Sequence, residues 1–391
     1  MAALSSSSYS YAKDRHFFVR VPCTSANIGP GFDVVGLSLS LHLILDVRIS
    51  SARDNTTPTL AYTGEGAKEA PLDPYKNLTT RCALYVLRCA GIKSFPRGVD
   101  IKVNNEIPFG RGLGSSGAAV IAGIVLGDAL GSLSLSKERL LDHALMIERH
   151  PDNVAAALIG GFVGSYLLDL SPEDAERKSV PLSEVLPEYP ADAGEEWGKD
   201  PPAPPNGIGH FIRFGWAKET KVITIIPQFE VPTAKARSVL PNSYKKEDLV
   251  SRTAQASKDL RSPPLLNVVS TPLHVQVFNL QRLAVLTTAL SRSPPDSSLI
   301  YQAMQDRVHQ PYRAHLVPAL PRLLASVTPQ SHPGLLGICL SGAGPTILAL
   351  ATHNHEAVAE SIVSEFTKEG IKCITKFLQV TEEGATVTEI Q

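Results

Sequence analysis

Residues 106–119 read EIPFGRGLGSSGAA, a glycine-rich loop that runs directly into an apolar, helix-forming segment. Glycine has no side chain to keep a ligand away from the backbone N–H groups, and the N-terminal end of a helix carries a partial positive charge. Both features favour the binding of phosphate. Ser115 and Ser116 add hydroxyl groups that could bind a phosphate oxygen or a metal ion. The stretch therefore predicts a phosphate site.

Two widespread phosphate-binding motifs fit this loop poorly. A P-loop requires a lysine before its serine or threonine, and Leu113 and Gly114 stand there instead. Gly112, Gly114 and Gly117 formally spell the dinucleotide fingerprint GxGxxG, which should follow directly on a strand. Here the alternating pattern of residues 99–103 ends several residues earlier. A third alternative, a turn that only caps a packed helix, depends on whether further motifs accompany the loop.

The loop resembles the phosphate loop of the galactokinase, homoserine kinase, mevalonate kinase and phosphomevalonate kinase superfamily, the GHMP kinases. Its pattern is Pro-x-x-x-Gly-Leu-Gly-Ser-Ser-x-Ala, and residues 108–118 match it. The resemblance implies bound ATP, with a Mg²⁺ ion held by Ser116 and Glu148. The implied ATP-binding residues are Asn77, Pro108, Gly110, Arg111, Gly112, Leu113, Gly114, Ser115, Ser116, Gly117 and Ala118.

Residues 146–155, MIERHPDNVA, resemble the segment that supplies the magnesium carboxylate in this family. Glu148 follows Leu141 by seven positions and Ala144 by four, which predicts that it shares a buried helix face. A carboxylate there is costly unless it is paired or bound to a cation. One carboxylate, one hydroxyl and nucleotide phosphates are ordinary ligands for Mg²⁺. A salt bridge from Glu148 is the alternative role, and Asp142 is the alternative metal ligand.

Three further segments carry the implied substrate-binding groups. Residues 22–33, PCTSANIGPGFD, resemble the first family motif in its homoserine kinase form, in which Asn27 and Asp33 would bind the ammonium and hydroxyl groups. Asx turns within their own loop are the alternative role for these two residues. Thr233 and Arg237 are spaced for one helix face, and Arg313 follows the sequence DRVHQPY. Arginine binds carboxylates through two parallel hydrogen bonds, and the resemblance gives these positions the substrate carboxylate.

The catalytic base is left open by the sequence. Mevalonate kinase-like relatives use an aspartate, and the candidates here are Asp152 and the adjacent Asn153, which is also a candidate for substrate binding. Asp33 is a further catalytic candidate. A loose phosphoryl-transfer transition state mainly requires alignment and charge neutralisation, so a dedicated base is not obligatory.

Residues 337–346, GICLSGAGPT, resemble the third family motif. In the family this glycine loop folds against the active site and supports the phosphate region. The implied supporting residues are Ser341, Gly342, Ala343 and Gly344. A tight turn between two strands is the alternative interpretation.

Composition limits the class of protein and its partners. With 391 residues, 43% hydrophobic and 19% charged, the chain predicts a globular protein of two domains. Lys and Arg number 37 against 38 Asp and Glu, so no net charge favours nucleic acid or an anionic membrane as a partner. The apolar runs are too short to span a membrane. Five cysteines without a CxxC pair predict reduced thiols in a cytoplasmic protein.

Strand and helix patterns mix in both halves without a regular βαβ rhythm, which predicts the α+β class. The resemblance implies the two-domain GHMP kinase fold, an N-terminal ribosomal-protein-S5-like α/β domain and a C-terminal ferredoxin-like α+β domain. We predict a disordered terminus over 1–15, an ATP-binding domain over 16–210 with a proline-rich insertion at 171–209, and a second domain over 211–391. Residues 23–36 are predicted to form a loop between two strands.

The motifs together resemble homoserine kinases over nearly the whole chain from Phe17 onward. The resemblance implies ATP-dependent phosphorylation of L-homoserine to O-phospho-L-homoserine, a step of threonine biosynthesis, and it is compatible with a homodimer. Two alternatives stay open at this point. One is another small-molecule kinase of the superfamily, such as a mevalonate kinase, and the other is a non-catalytic ligand sensor on the same fold.

Overall fold

The computed structural model describes residues 11–175, 200–241 and 273–390. Residues 1–10 of the predicted N-terminal segment, and residues 176–199 of the predicted proline-rich insertion, lie outside the described residues. Two β-sheets, each with helices packed against it, make up the described part of the chain.

The strands of the described residues are β1 (Arg15–Asn27), β2 (Gly31–Ile49), β3 (Thr59–Gly64), β4 (Val99–Asn105), β5 (Phe162–Leu167), β6 (Gly209–Phe214), β7 (Lys221–Pro227), β8 (Leu335–Leu340), β9 (Ile347–Ala351), β10 (Cys373–Leu378) and β11 (Thr386–Glu389). The α-helices are α1 (Leu78–Cys89), α2 (Ser115–Gly131), α3 (Lys137–Ile147), α4 (Pro151–Ile159), α5 (Pro172–Ala175), α6 (Thr233–Ser238), α7 (Leu273–Ala289), α8 (Ser297–Ala303), α9 (Gln310–Arg313), α10 (Leu320–Ser326) and α11 (His355–Lys368). A 3₁₀ turn covers Ala314–Leu316.

The first sheet has seven strands in the order β11-β1-β2-β4-β3, with β5 paired to β2 and β6 paired to β5. All of its pairs are antiparallel except β3 with β4. Helices α2 and α4 pack against the sheet and α1 packs against α2, so α2 is buried on nearly every side, which explains why its sequence is apolar throughout. Ser115 and Ser116, the first two residues of α2, are only partly buried.

Residues 23–36 are not the predicted loop, because β1 continues to Asn27 and β2 begins at Gly31. The turn between them is only three residues long, with Asn27 and Ile28 at positive φ. The glycines in this segment have a packing role that composition does not reveal. A Cβ at Gly36 would collide with the carbonyl oxygen of Asp152, so glycine is needed where α4 approaches β2.

The ends of α3 and α4 are marked by local signals in the sequence. Ser136 caps α3, with Oγ accepting a 3.2 Å hydrogen bond from the N–H of Arg139. Helix α3 ends at Ile147, four residues before Pro151. Pro151 occupies the first position of α4, where the absent N–H is tolerated.

The second sheet is antiparallel throughout, in the order β10-β7-β9-β8. Its own core includes Val317, Leu323, Ile362 and Phe366 from the 3₁₀ region, α10 and α11. The predicted α+β class is confirmed by these two mixed layers of strands and helices. Across the described ranges, none of the helices combines the length and apolar character needed to cross a membrane.

Candidate active site

The predicted phosphate loop leads into the first turn of α2. Gly112 and Gly114 lie at φ values of 79° and 65°, and Gly114 is the N-cap residue of the helix. The N–H groups of the first turn have no acceptor within a helix, so residues 115–117 offer hydrogen bonds and a positive dipole at one point. This arrangement suits an anion such as a nucleotide phosphate.

Both glycines are also required by their neighbours. A Cβ at Gly112 would collide with the carbonyl oxygen of Ser341, and one at Gly114 would collide with Oγ1 of Thr24. The loop is held from outside by Arg111, whose guanidinium donates a 3.2 Å hydrogen bond to the carbonyl of Pro227. The Arg111 side chain therefore anchors the loop to β7.

Replacement of Gly112 by alanine should raise the KM for ATP at least about tenfold and lower Tm, because the new Cβ strikes backbone and the φ of 79° disfavours an L side chain. Steady-state kinetics and thermal melts measure both effects. Gly91→Ala is the matched control, since Gly91 has a φ of 80° but open space around it. An unchanged KM for ATP in Gly112→Ala would contradict a phosphate role for the loop.

A cavity of about 740 Å³ opens beside the loop, and its volume suits a nucleotide. Its wall includes Tyr62, Lys76, Asn77 and Phe109, together with Ser115 and Ser116 at the helix mouth. Asn77 caps α1, since its Oδ1 accepts from the N–H of Thr79 and its Nδ2 donates to the carbonyl of Pro71, both at 3.0 Å. Asn77 thus shapes the cavity wall through the start of α1.

Glu148 brings a carboxylate to the mouth of α2. It is the C-cap residue that follows α3, with extended backbone rather than a place on the predicted helix face, and it is 7% exposed. Its Oε2 lies 3.6 Å from the position a Cβ would take on Gly117. Nowhere in the described ranges do three or more His, Cys, Asp or Glu residues cluster into a metal cage. One carboxylate and the Ser116 hydroxyl fit Mg²⁺, which normally takes its other ligands from phosphate and water.

Asp142 was the alternative metal ligand, and its carboxylate has a different function. It accepts hydrogen bonds of 2.9 to 3.3 Å from the N–H groups of Gly207, Ile208 and Gly209, and it pairs with Arg139 at 3.1 Å. The side chain is 2% exposed. Asp142 therefore fixes the chain that enters β6, and Glu148 is the carboxylate that adjoins the helix mouth.

Asp33 forms a second charged centre, near the β1–β2 turn. It has a φ of 56°, a conformation that aspartate tolerates better than most residues. Its two carboxylate oxygens accept from the two terminal nitrogens of Arg237 at 3.0 and 2.8 Å, and His150 Nδ1 lies 3.6 Å away. Asn27 accepts from the N–H of Asp33 and donates to the carbonyl of Gly342, so its side chain holds the turn in place.

Arg313 is a buried cation beside this pair, with 2% of the residue exposed. It donates to the carbonyls of Ala236 at 3.1 Å and Gly342 at 2.9 Å, and to Nδ1 of His309 at 3.3 Å. Burial, followed by the charge of Arg237, lowers the pKa of Arg313 to about 10, so it stays protonated at neutral pH. A carboxylate on a small ligand would complement it.

Asp152 and Asn153, in the first turn of α4, lie between the two centres. Burial and then the charge of Asp33 raise the pKa of Asp152 to about 7. Asn153 Oδ1 accepts a 2.8 Å hydrogen bond from Thr24, and the Asn153 Cβ lies 3.1 Å from the position a Cβ would take on Gly117. The pair therefore connects the helix mouth to the Asp33–Arg237 centre.

The third motif joins the other two. Ser341 Oγ donates a 2.6 Å hydrogen bond to the carbonyl of Gly112 and lies 2.7 Å from Oγ of Ser25. The N–H of Gly342 donates to the carbonyl of Ala26 at 3.1 Å. Ala343 and Gly344 complete the turn before β9. This loop supports the phosphate loop and the β1–β2 turn together.

Comparison with known proteins identifies the family to which the chain belongs. The GHMP kinases N terminal domain matches residues 77–161, and the GHMP kinases C terminal domain matches residues 289–372. The homoserine kinase of Saccharomyces cerevisiae is 52% identical over 383 residues, covering 96% of this chain and 99% of its own. The chain belongs to the homoserine kinase family. It is therefore an ATP-using kinase of the GHMP superfamily.

More distant relatives and solved structures agree with this family. The homoserine kinase of Solibacter usitatus is 33% identical, covering 96% of this chain and 99% of its own. The crystal structure of homoserine kinase from Cytophaga hutchinsonii has a TM-score of 0.66 at 22% identity, covering 99% of this chain and 100% of its own. A mevalonate kinase structure has a TM-score of 0.56 at 12% identity, covering 94% and 99%. These two structures confirm the GHMP kinase fold.

Several residues of this homoserine kinase site were not singled out from the sequence. Thr24 orients Asn153, and its N–H donates to the carbonyl of Leu113. The ring of Phe32 lies 5.4 Å from the guanidinium carbon of Arg237 and 5.2 Å from that of Arg313. Thr24 and Phe32 stand inside the first motif, which was the available signal. Thr233, a predicted substrate residue, is exposed at the start of α6.

Proposed function

We propose that this chain transfers the γ-phosphoryl group of ATP to the side-chain hydroxyl of L-homoserine, giving O-phospho-L-homoserine and ADP. One observation carries the proposal. Asp152 and Asn153 stand between an anion-binding helix mouth and a centre with two arginines and one carboxylate. A phosphate donor suits the first, and a ligand with carboxylate and ammonium groups suits the second. The reaction is a step in the synthesis of threonine.

The nucleotide would occupy the 740 Å³ cavity with its phosphates at the first turn of α2. Backbone N–H groups there would hold the phosphates and neutralise charge that develops in the transition state. Ser116 and Glu148 would hold Mg²⁺, which when bound shields the phosphate charge from the attacking hydroxyl. Lys76, on the cavity wall, adds a positive charge.

On the substrate side, Arg237 and Arg313 would bind the carboxylate and Asp33 the ammonium group, which leaves the hydroxyl directed at Asp152 and Asn153. The hydroxyl oxygen forms a bond to the γ-phosphorus, the bond from that phosphorus to the bridging oxygen of ADP breaks, and the hydroxyl proton passes to Asp152. A carboxylate whose pKa is raised towards neutrality is well matched to that proton transfer.

The alternative kinases are distinguished by the charges of their substrates. Mevalonate and galactose have no ammonium group for Asp33, and galactose has no carboxylate for the arginines. A non-catalytic sensor would not require a buried carboxylate, Glu148, beside the first turn of α2.

An ADP-release assay with L-homoserine, mevalonate and galactose as acceptors tests the proposal. We expect turnover of L-homoserine at a kcat/KM at least about 10³-fold above either other acceptor. Preference for mevalonate would favour the mevalonate kinase alternative. Absence of turnover with all three acceptors would favour the sensor.

Arg237→Ala should raise the KM for L-homoserine by about 10²-fold and leave the KM for ATP within about twofold, because the variant loses a partly buried cation that would bind the L-homoserine carboxylate and would not contact ATP. Initial-rate kinetics with each substrate varied measure both constants. Arg322→Ala is the control, since Arg322 is a half-exposed arginine paired with Glu365 and Glu369. Equal changes in both constants would show that Arg237 is structural.

We also propose a cytoplasmic location. All five cysteines carry free thiols, and burial raises the pKa of Cys23, Cys82 and Cys339 to about 12, which keeps them unreactive. Free thiols are typical of reducing compartments. The homodimer stays a prediction.

A further inference from the structure

The two arginines of the substrate side have different partners. Arg237 binds both oxygens of Asp33 through two parallel hydrogen bonds. Arg313 donates to two backbone carbonyls and to His309. Within the described part of the chain, no carboxylate lies within 4 Å of Arg313. Arg313 is therefore ready for an anion, whereas Arg237 already has one.

The Arg237–Asp33 pair engages the same groups that the proposed function assigns to substrate. Both carboxylate oxygens of Asp33 and both terminal nitrogens of Arg237 are used by the pair. The two side chains are only 28% and 24% exposed. A ligand that separates them must supply a new partner to each, because an uncompensated charge in a partly buried site is costly.

We propose that the Arg237–Asp33 ion pair is a specificity element that opens by exchange with a zwitterion. The inference rests on the proposed function. The carboxylate of an amino acid replaces Asp33 at Arg237, and its ammonium replaces Arg237 at Asp33. Both charges stay compensated, and Arg313 gains a carboxylate partner.

Ligands with only one of the two charges cannot complete the exchange. A hydroxy acid takes Arg237 and leaves the Asp33 carboxylate without its arginine partner, in the neighbourhood of Asp152, a second carboxylate whose pKa is raised by burial and then by the charge of Asp33. His150, 3.6 Å from Asp33, compensates it only when protonated. An amino alcohol takes Asp33 but brings no carboxylate to replace it at Arg237 or to reach Arg313, the two arginines that lie beside the ring of Phe32.

The experiment compares three acceptors that share one hydroxyl chain: L-homoserine, 4-hydroxybutyrate, which lacks the ammonium group, and 3-amino-1-propanol, which lacks the carboxylate. For the wild type we expect kcat/KM for both truncated acceptors at least about 10³-fold below that for L-homoserine. In Asp33→Asn, binding of 4-hydroxybutyrate leaves no carboxylate without a partner. The ratio of kcat/KM for L-homoserine to kcat/KM for 4-hydroxybutyrate should therefore fall at least about tenfold, and kcat/KM for 4-hydroxybutyrate itself should rise.

Asp54→Asn is the matched control, because Asp54 pairs with Arg97 at the surface. This substitution should leave the relative kcat/KM values of the three acceptors unchanged. Calorimetric binding of 4-hydroxybutyrate without ATP should strengthen in Asp33→Asn in parallel. If Asp33→Asn fails to fold, Arg237→Lys is tested instead, because lysine cannot form the bidentate pair with Asp33. In that variant the ratio of kcat/KM for L-homoserine to kcat/KM for 4-hydroxybutyrate should fall by a smaller factor.

Equal discrimination in the wild type and in folded Asp33→Asn would overturn the exchange while the proposed function stands. Failure of the wild type to phosphorylate L-homoserine would instead overturn the proposed function.

Discussion

Asp152→Asn is expected to lower kcat by about 10²-fold or more with little change in the KM for ATP, because the amide cannot accept the hydroxyl proton. In the wild type kcat should fall as the pH drops below about 7, since the raised pKa of Asp152 leaves the protonated, inactive form there. The variant should lack this acidic limb. A loss in kcat under tenfold would show that alignment and charge neutralisation suffice without a base.

The same substitution is expected to stabilise the fold above neutral pH. The folded-state pKa of Asp152 lies above the ordinary aspartate value of 3.8, so the folded chain binds this proton more tightly than the unfolded chain. The wild type therefore loses stability as the pH rises from about 4 to about 7, by up to roughly 4 kcal/mol from this group. Asparagine does not ionise and escapes that loss.

Denaturant unfolding at pH 5 and pH 8 measures the difference in free energy of unfolding between Asp152→Asn and the wild type. The difference should be larger at pH 8. Asp169→Asn is the control, since Asp169 is an exposed aspartate after β5 and should show no such trend. A variant that is inactive and also less stable at pH 8 would indicate that Asp152 serves mainly as a structural residue.

Glu148→Gln is expected to lower kcat by about 10²-fold or more and to weaken Mg²⁺ binding to the nucleotide complex at least about tenfold, because a buried carboxylate beside Gly117 in the first turn of α2 is replaced by a neutral amide. Glutamine keeps the size of the side chain, so Tm should change little. Activity against Mg²⁺ concentration gives the first readout, and calorimetric titration of Mg²⁺ into the complex with a non-hydrolysable ATP analogue gives the second.

Two controls separate the metal role from a packing role. Glu360→Gln changes an exposed carboxylate on α11 and should leave Mg²⁺ dependence unchanged. Asp142→Asn should lower Tm, because this residue accepts three backbone hydrogen bonds, and should also keep the Mg²⁺ dependence of the wild type. The reverse outcome, with Asp142→Asn altering Mg²⁺ dependence and Glu148→Gln behaving normally, would transfer the metal role to Asp142.

Local signals made much of the fold predictable. A side-chain cap at Ser136, a proline at position 151 and an apolar run after Gly114 each act within one or two helical turns, and the helices begin and end near them. The prediction of a loop at residues 23–36 was wrong because this segment contains glycines, a proline and an asparagine, which are typical of loops. Gly36 is instead required by the approach of α4, a contact between distant segments.

The sequence predicted most of the residues of the candidate site, but it did not predict which of them pair with each other. Asp33 and Arg237 were both candidates, but they are more than 200 positions apart, and no local pattern predicts that they form an ion pair. Thr24 was missed because its partner Asn153 also lies far away in the sequence, at a separation of 129 positions. Motif resemblance identifies candidate functional side chains, whereas hydrogen bonds between distant segments determine which group each side chain contacts.

The pairing of β11 with β1 has a consequence for synthesis of the chain. Residues Phe17 to Arg20 leave the ribosome early, and their partners Thr386 to Glu389 leave it after every other strand of both sheets. Until then one edge of β1 presents unpaired N–H and C=O groups, a template on which a second nascent chain could add a strand. Translation of this protein therefore carries a window of aggregation risk, and chaperone protection of the β1 edge would be most useful during it.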